Sequence, residues 1–167
     1  MGEVNQDLSQ VTLLGNQNTR YKFQYDPSIL EKFKVSYDML QDDEQIIHLD
    51  CFEFASRCPQ TGQPDFATIH ISYIPNEYAV ESKSLKLYLF SYQTHGSFHE
   101  TCIHMILDDL VKLLSPKFMA VYGDFNSRGG ISILPLSVYA DADHQDLKKK
   151  LQAEAMVRNL THRPRTS

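Results

Sequence analysis

The stretch ATIHISYIP, residues 67–75, alternates between apolar and polar positions. Ile69, Ile71 and Tyr73 fall on one side of an extended chain, whereas His70 and Ser72 fall on the other. This period of two predicts a half-buried β-strand, and residues 56–66 before it predict a loop. Further strands are predicted where strand-forming residues concentrate, at 46–54 (IIHLDCFEF), 118–125 (FMAVYGDF) and 131–139 (ISILPLSVY).

A different period marks FHETCIHMILDDLVKLLSPK, residues 98–117. Its apolar residues recur at helical spacing and predict an amphipathic helix that ends before Pro116. The members of this stripe are Ile103, Ile106, Leu107, Leu110 and Leu114. Residues 79–93 also fit helical spacing up to a break at Gly96, although their aromatic side chains suit a strand as well. A last helical repeat runs from His144 to about Leu160.

The order strand, strand, helix, helix, strand, strand predicts an α+β fold, with an antiparallel four-stranded sheet and two helices packed on one face. We expect a polar lead-in over residues 1–20 with an apolar patch at 11–14, a folded domain over 21–142, and a helical extension with a frayed end over 143–167. An open sheet has two exposed edges, which invite pairing between chains. We therefore expect a ring-like homo-oligomer with sites possible at the joints.

Composition narrows the class of protein. The 167 residues carry a net charge of −5 and no basic stripe, which disfavours direct nucleic-acid binding. No apolar run reaches the length of a bilayer span, and the polar N-terminus lacks the pattern of a secretory signal. Three cysteines are too few, and an odd number, for a disulfide framework. We expect a cytoplasmic protein that does not contact membranes.

The loop RCPQTGQPDF, residues 57–66, holds the two residues most suited to chemistry. Cys58 becomes a strong nucleophile if its pKa is lowered, and Arg57 or a histidine could assist. Asp65, beside Phe66 in a dry pocket, could hold a proton at neutral pH. On these residues alone the plainer roles are favoured, a small buried side chain for Cys58 and a turn aspartate that bonds its own backbone for Asp65.

Other candidates also allow two interpretations. Ser97 to Glu100 fits a capping box, in which Glu100 reaches back to the Ser97 N–H, but the Glu100 carboxylate also suits two adjacent N–H groups of a heterocycle. Lys83 and Lys86 could bind phosphates together with Arg128, or could be ordinary solvated charges. The histidines and the cysteine between residues 95 and 104 are loosely spaced and lack CxxC or HExxH, so no metal site is predicted.

Four motifs together resemble the 7-cyano-7-deazaguanine reductase family, the nitrile reductases of queuosine biosynthesis, a tRNA modification, in its short single-module form. They are ESKSLKLY at 81–88, CPQTGQPDFA at 58–67, FHE at 98–100 and RGGI at 128–131. The likeness covers about residues 10–140, and ESKSLK is its most specific part. It implies the tunnelling fold, shared with GTP cyclohydrolase I, in which barrels are closed by oligomerisation, here a homo-oligomeric ring of stacked pentamers with active sites at the interfaces.

The resemblance also implies roles for individual residues. Cys58 matches the nucleophile that adds to the nitrile carbon and forms a covalent thioimide, and Asp65 matches the acid that protonates the nitrogen. His99 and Glu100 match the pair that holds the deazaguanine substrate. Val80, Glu81 and Ser82 match a second strip of substrate contacts, supplied across the interface. Lys83, Lys86, Arg128 and Gly129 match the groups that hold the phosphates of NADPH.

The implied reaction reduces the nitrile of 7-cyano-7-deazaguanine to the primary amine, uses two NADPH and needs no metal. Two alternatives stay open at this point. One is a metal-dependent hydrolase of a purine- or pterin-like ring on the same fold, which zinc in the purified protein would indicate. The other is a non-catalytic oligomer that binds such a ring through Glu100, against which the intact ESKSLK motif, Cys58 and Asp65 all weigh.

The spacing of Cys102 generates a first prediction. Cys102 lies one helical turn after His99, so it faces a similar side of the predicted helix. If His99 faces the site, Cys102 can reach Cys58, and a reversible disulfide would shield the nucleophile from over-oxidation. We expect peroxide treatment to yield a Cys58–Cys102 linkage by mass spectrometry. The absence of that linkage at every peroxide dose would mean that Cys102 only packs.

Overall fold

The computed structural model describes residues 21–35 and 45–161, with backbone alone for 158–161. The predicted lead-in over 1–20 lies outside these residues. Within these described residues, six strands and three helices follow one another as β1 (Lys32–Lys34), β2 (Ile47–Arg57), β3 (Pro64–Ile74), β4 (Tyr78–Val80), α1 (Ser82–Phe90), α2 (His99–Leu114), β5 (Phe118–Phe125), β6 (Leu136–Ala140) and α3 (Gln145–Thr161). Short 3-10 turns precede β1 and follow α1.

The main sheet has four antiparallel strands in the order β2-β3-β5-β6, as the sequence pattern predicts. The predicted alternation in β3 is confirmed, because Ile69, Ile71 and Tyr73 are buried while His70 and Ser72 are only partly covered. Strand β5 has the predicted bounds, residues 118–125. The result is a mixed α+β fold built on an antiparallel sheet.

Helix α2 covers one face of this sheet. Its buried stripe consists of the five predicted residues, Ile103 to Leu114, together with Cys102. The helix ends at Leu114 because Ser115 adopts a left-handed conformation (φ 45°) before Pro116. Helix α1 joins the same core through Leu85, Tyr88 and Leu89. Both helices therefore pack on the face that Ile69 and Ile71 present.

Strand β2 changes its buried face part-way along. Its register against β3 shifts between Cys51 and Phe54, which is a β-bulge. Odd-numbered positions are the more buried ones before the shift, and even-numbered positions, Phe54 and Ser56, are buried after it. The bulge therefore turns Arg57 outward, at the point where the chain enters the loop that holds Cys58.

The sequence prediction was wrong about several boundaries. The predicted 56–66 loop shrinks to residues 58–63, because β2 runs on to Arg57 and β3 starts at Pro64. The predicted strand at 131–139 begins only at Leu136, since Pro135 has no N–H to give to a ladder. Helix α1 ends at Phe90, ahead of the break predicted at Gly96. The pairing of β1 with β4, a small second sheet, was not predicted.

The C-terminal helix α3 packs against β6. Leu151 contacts a second apolar cluster formed by Ile74, Phe118, Ala120 and Ala140. Ile74, Phe118 and Ala140 are paired in register where β3 ends and β5 begins. Helix α3 therefore braces this end of the sheet and leaves the opposite end, where β5 finishes, to the loops described below.

Close packing of α2 on β5 generates a second prediction. A Cβ at Gly123 would lie 2.8 Å from Ile103 Cδ1 and 2.8 Å from Phe125 Cε2, both on buried side chains. We expect Gly123→Ala to destabilise the fold by about 1–3 kcal/mol through overpacking, measured by urea unfolding at one fixed protein concentration. Gly96→Ala is the matched control, because its Cβ would meet Pro59 at an ordinary 3.5 Å. Equal unfolding midpoints for the two variants would contradict the prediction.

Candidate active site

Three segments converge at the end of the sheet where β5 finishes. The β2–β3 loop, residues 58–63, starts there. The segment before α2 is bonded to Arg57, the last residue of β2. The Arg57 N–H donates to the His95 carbonyl (3.0 Å), and the Ser97 N–H donates to the Arg57 carbonyl (3.0 Å). The chain after β5 joins from the other side, where Asn126 N–H donates to the Phe66 carbonyl (2.9 Å). Antiparallel pairing thus gathers loops from distant parts of the chain.

The loop after β2 closes on the backbone of Cys58. The Cys58 N–H donates to the Gln63 carbonyl and the Gly62 N–H donates to the Cys58 carbonyl, each at 2.9 Å. The Arg57 guanidinium, which the sequence suggested as an assistant to the thiol, instead donates to the Gly62 carbonyl at 3.0 Å. The loop therefore holds Cys58 in one place while leaving its side chain partly exposed.

This turn also changes the acidity of Cys58. A hydrogen bond from the Thr61 side chain, followed by the backbone N–H groups of Thr61 and Gln60, lowers the pKa of the Cys58 thiol to about 7, with a smaller contribution from Arg128. Burial has the opposite effect on the other two cysteines, and it raises the pKa of Cys51 to about 11 and that of Cys102 above its ordinary value. Cys58 is therefore the thiol best suited to nucleophilic attack near neutral pH.

Asp65 lies in a strand and not in a turn, which corrects the sequence prediction. It continues the core-facing row of β3 that runs through Ala67 and Ile69, and it is only 3 % exposed. Phe66 points to the opposite face, where it is 54 % exposed, so it does not form the dry pocket that the sequence suggested. Alternation along the strand, extended by two residues toward its start, would have revealed this burial.

Two basic side chains meet the buried Asp65 side chain. The Arg128 Nη1 donates to Asp65 Oδ1 at 2.6 Å, and His99 Nε2 lies 3.5 Å from the same oxygen. The other terminal nitrogen of Arg128 donates to Gln63 Oε1. The His99 ring also packs against Phe125, with centroids 4.2 Å apart. Pairing of this kind is what permits a carboxylate to be buried.

A cavity of about 200 Å³ opens beside this cluster. Its lining includes His99 and Arg128 from the predicted site, together with residues that the sequence interpretation passed over. These additional residues are Phe125, Asn126, Ile131 and Ile133. The sequence interpretation gave these four residues no role in the site, although Ile131 closes the RGGI motif; they belong to the end of β5 and the segment that follows it.

Helix α2 does not begin with the predicted capping box. Its N-cap is Phe98, without a side-chain capping bond, and the Ser97 N–H that Glu100 was expected to reach donates to Arg57 instead. Among the described residues, the exposed Glu100 carboxylate has no ion-pair or hydrogen-bond partner. Of the two interpretations that the sequence left open, the structure leaves Glu100 available to a ligand beside His99.

Comparison with known proteins agrees with this geometry. Residues 64–144 match the family model described as QueF-like protein. Proteins from Bacillus mycoides (strain KBAB4) and Bacillus cereus (strain AH187), both named NADPH-dependent 7-cyano-7-deazaguanine reductase, are 54 % identical over 138 residues, which is 83 % of this chain and 82 % of each relative. The chain belongs to the 7-cyano-7-deazaguanine reductase family. The resemblance stated from its motifs is thereby confirmed.

A solved structure supports the fold alone. The apo form of the archaeosine synthase QueF-Like superposes with a TM-score of 0.55 at 17 % identity, covering 60 % of this chain and 99 % of that one. The comparisons give no support to the alternative hydrolase. Among the described residues, no group of three or more His, Cys, Asp or Glu side chains is placed to hold a metal ion, and no described helix is long and apolar enough to cross a membrane.

The reductase motif ESKSLK lies at the start of α1. The Glu81 carboxylate caps this helix, accepting from Lys83 N–H at 2.8 Å and Ser84 N–H at 2.7 Å, and Ser82 donates to it at 3.5 Å. Val80 is buried, and its N–H donates to the Tyr73 hydroxyl at 3.2 Å. These contacts attach the strip to the end of β3 away from Asp65.

The distance between the cluster around Asp65 and the strip from Val80 to Ser82 can be judged from strand geometry. Tyr73 lies eight residues along β3 from Asp65. At a rise of about 3.3 Å per residue, their Cα atoms are separated by roughly 26 Å. The structure thus brings Cys58, Asp65, His99 and Arg128 together, and it anchors Val80 to Ser82 at the other end of the same strand.

The origin of the lowered Cys58 pKa generates a third prediction. Thr61→Val removes the donor that contributes most, so the pH midpoint for alkylation of Cys58 should move from about 7 toward the ordinary cysteine value near 8.5. Because the thiolate is the reactive form, wild-type reactivity should fall below pH 7, and that of the variant should fall at higher pH. The rate of iodoacetamide labelling of the Cys58 peptide against pH measures this. Thr68→Val, on the outer face of β3, is the matched control, and equal midpoints for both variants would refute the explanation.

Proposed function

We propose that this chain catalyses the reaction for which its family is named, the NADPH-dependent reduction of the nitrile of 7-cyano-7-deazaguanine to the amine of 7-aminomethyl-7-deazaguanine, in queuosine biosynthesis. Cys58 is the nucleophile and Asp65 delivers the proton. One observation carries the assignment: the Cys58 thiol, whose pKa is lowered to about 7, lies on a loop in which Gln63 is bonded to Arg128, and Arg128 also donates to the buried Asp65 carboxylate at 2.6 Å.

The first step is covalent. The Cys58 thiol gives its proton to the Asp65 carboxylate, the sulfur attacks the nitrile carbon, and the S–C bond forms as one C–N π bond breaks. Asp65 then passes that proton to the nitrogen, so the step needs no external acid. His99, 3.5 Å from Asp65, is placed to keep that carboxyl oriented. The resulting thioimide is more electrophilic than the nitrile, which prepares the carbon for reduction.

NADPH supplies the hydrides, and four residues of this chain suit its phosphates. Lys83 and Lys86 lie three apart on α1, with Lys86 exposed and Lys83 partly so. Arg128 has five N–H donors, of which Asp65 and Gln63 engage only part. No atom lies within 4 Å of where a Gly129 Cβ would stand, so a ligand can approach the backbone there. These groups fit a polyanionic cofactor.

The substrate site requires more than one chain. His99 lines the cavity and would hold the deazaguanine edge together with Glu100, the next residue of α2. Val80 is instead bonded to Tyr73, whose Cα lies roughly 26 Å along β3 from that of Asp65. The cavity of about 200 Å³ is also smaller than ligand pockets, which span about 300–1,000 Å³. A neighbouring subunit that places its own residues 80–82 beside this cavity would complete the site, and it would account for both the distance along β3 and the small cavity volume. This supports the tunnelling fold, with barrels closed in a ring of stacked pentamers and one site at each joint.

The remaining assignments concern organisation and location. We place the catalytic unit at residues 21–142 and treat 143–167 as an extension, of which α3 braces the sheet end away from the site. The three thiols are free, as suits a reducing cytoplasm. The proposed reaction depends on neither the domain bounds nor the location.

The fourth prediction tests the proposed function. Incubation with 7-cyano-7-deazaguanine in the absence of NADPH should give a stable adduct on intact-mass analysis and a new thioimide absorbance, because the covalent step precedes reduction. Cys58→Ala should abolish both signals. Cys51→Ala, which removes a thiol whose pKa burial raises to about 11, should leave both unchanged. An adduct that survives in Cys58→Ala, or none in the wild type, would overturn the assignment of the nucleophile.

A further inference from the structure

The contacts of Arg128 reach beyond cofactor binding. Its guanidinium donates to Asp65 at 2.6 Å and to Gln63 Oε1, and the Gln63 carbonyl accepts from the Cys58 N–H at 2.9 Å, so one side chain is bonded to the proposed proton carrier and to the loop that holds the proposed nucleophile. Lys83 and Lys86, which stand on α1, serve the phosphates from a different element. The contacts of Arg128 therefore indicate a role in formation of the covalent intermediate, before NADPH reacts.

The turn that carries Arg128 is rigid. Arg128 N–H donates to the Ile131 carbonyl at 3.0 Å and Ile131 N–H donates back at 3.1 Å, while Gly129 (φ 58°) and Gly130 (φ 81°) form the two central positions. Positive φ at both central residues is typical of a type I′ turn, and glycine adopts it without strain. The hydroxyls of Ser127 and Ser132 bond across the same hairpin at 2.6 Å. Arg128 is thus pre-positioned, although its side chain is 34 % exposed.

We propose that Arg128 is a positioning residue for formation of the thioimide: it holds the Asp65 carboxylate against Cys58 so that the thiol proton passes to Asp65 and then to the nitrile nitrogen. The proposal rests on the proposed roles of Cys58 and Asp65. The step balances, because the S–H bond breaks as the S–C bond forms, and the same proton ends on nitrogen. Arg128 neither gains nor loses a proton, and no cofactor takes part.

Electrostatics supports this order of events. An ion pair with Arg128 requires the anionic form of Asp65, which is a proton acceptor before it is a donor. The same positive charge also favours the Cys58 thiolate, although less than the Thr61 donors do. The other titratable or charged side chains around the pair are Arg57, whose guanidinium is bonded to Gly62, His99, and the buried Cys102 thiol. Of these groups, Arg128 alone is bonded both to Asp65 and, through Gln63, to the loop of Cys58 in the described part of the chain.

The fifth prediction uses the adduct reaction without NADPH, in which a residue that serves only the cofactor has no effect. Arg128→Gln should slow adduct formation at pH 7 by about tenfold, which is less than the roughly 10²–10⁴-fold that general acid–base catalysis contributes, because Asp65 itself remains in place. It should also move the alkylation midpoint of Cys58 upward, by less than Thr61→Val does. Arg128→Lys, which keeps the charge and loses the fork, should recover much of the rate.

Two further variants serve as controls for the Arg128 experiment. Gln63→Leu removes one hydrogen bond of the Arg128 guanidinium and leaves the Asp65 and Cys58 side chains unchanged. It should slow the adduct step, but less than Arg128→Gln does. It also keeps the inference testable if Arg128→Gln folds poorly. Lys112→Gln removes a cation from an exposed ion pair with Asp108 on α2 and should change nothing.

The outcomes separate the hypotheses. Wild-type adduct rates in Arg128→Gln and Gln63→Leu, with NADPH-dependent turnover impaired in Arg128→Gln, would overturn the inference and assign Arg128 to the cofactor alone. Failure of the wild type to form any adduct would instead refute the proposed role of Cys58. A slow adduct step in Arg128→Gln that Arg128→Lys partly restores is the expected result.

Discussion

A carboxylate at the end of a core-facing row governs this site. Strand β3 buries alternate side chains, and the row that carries Ala67, Ile69 and Ile71 ends at Asp65. A buried charge is costly unless it is paired and hydrogen-bonded. The fold meets that requirement with Arg128 and His99, which come from two other segments of the chain. The interaction that makes the burial of Asp65 tolerable also brings Arg128 and His99 together at the edge of the cavity.

The proposed nucleophile and the proposed proton carrier are stabilised by different means. Cys58 is partly exposed, and its anionic form is favoured by N–H and O–H donors from its own loop. Asp65 is buried and depends on side chains that are distant in sequence. A local turn can therefore tune the thiol while long-range packing positions the carboxyl group. Arg128 is the residue at which the two arrangements meet, since it donates to Asp65 and to Gln63 in the Cys58 loop.

The end of the sheet that holds this cluster lies far from the most specific motif of the family. The ESKSLK strip, which carries the reductase resemblance most strongly, is attached near Tyr73, toward the opposite end of β3. Its Glu81 carboxylate stabilises the first turn of α1. A strand of eleven residues keeps the two regions apart within one chain. The proposed function therefore places the substrate between two subunits.

The sequence by itself determined the features that depend on neighbouring residues. Period-two alternation located β3, helical spacing located the buried stripe of α2, and the motifs identified Cys58 and the family, because propensity and periodicity are local properties. The tertiary structure decided what depends on register. The bulge in β2, the burial of Asp65 and the loss of the expected capping box at Ser97 all follow from pairing between strands and segments. The contact between Arg128 and Asp65 joins residues 63 positions apart, and only antiparallel packing of β3 on β5 brings them within hydrogen-bond distance.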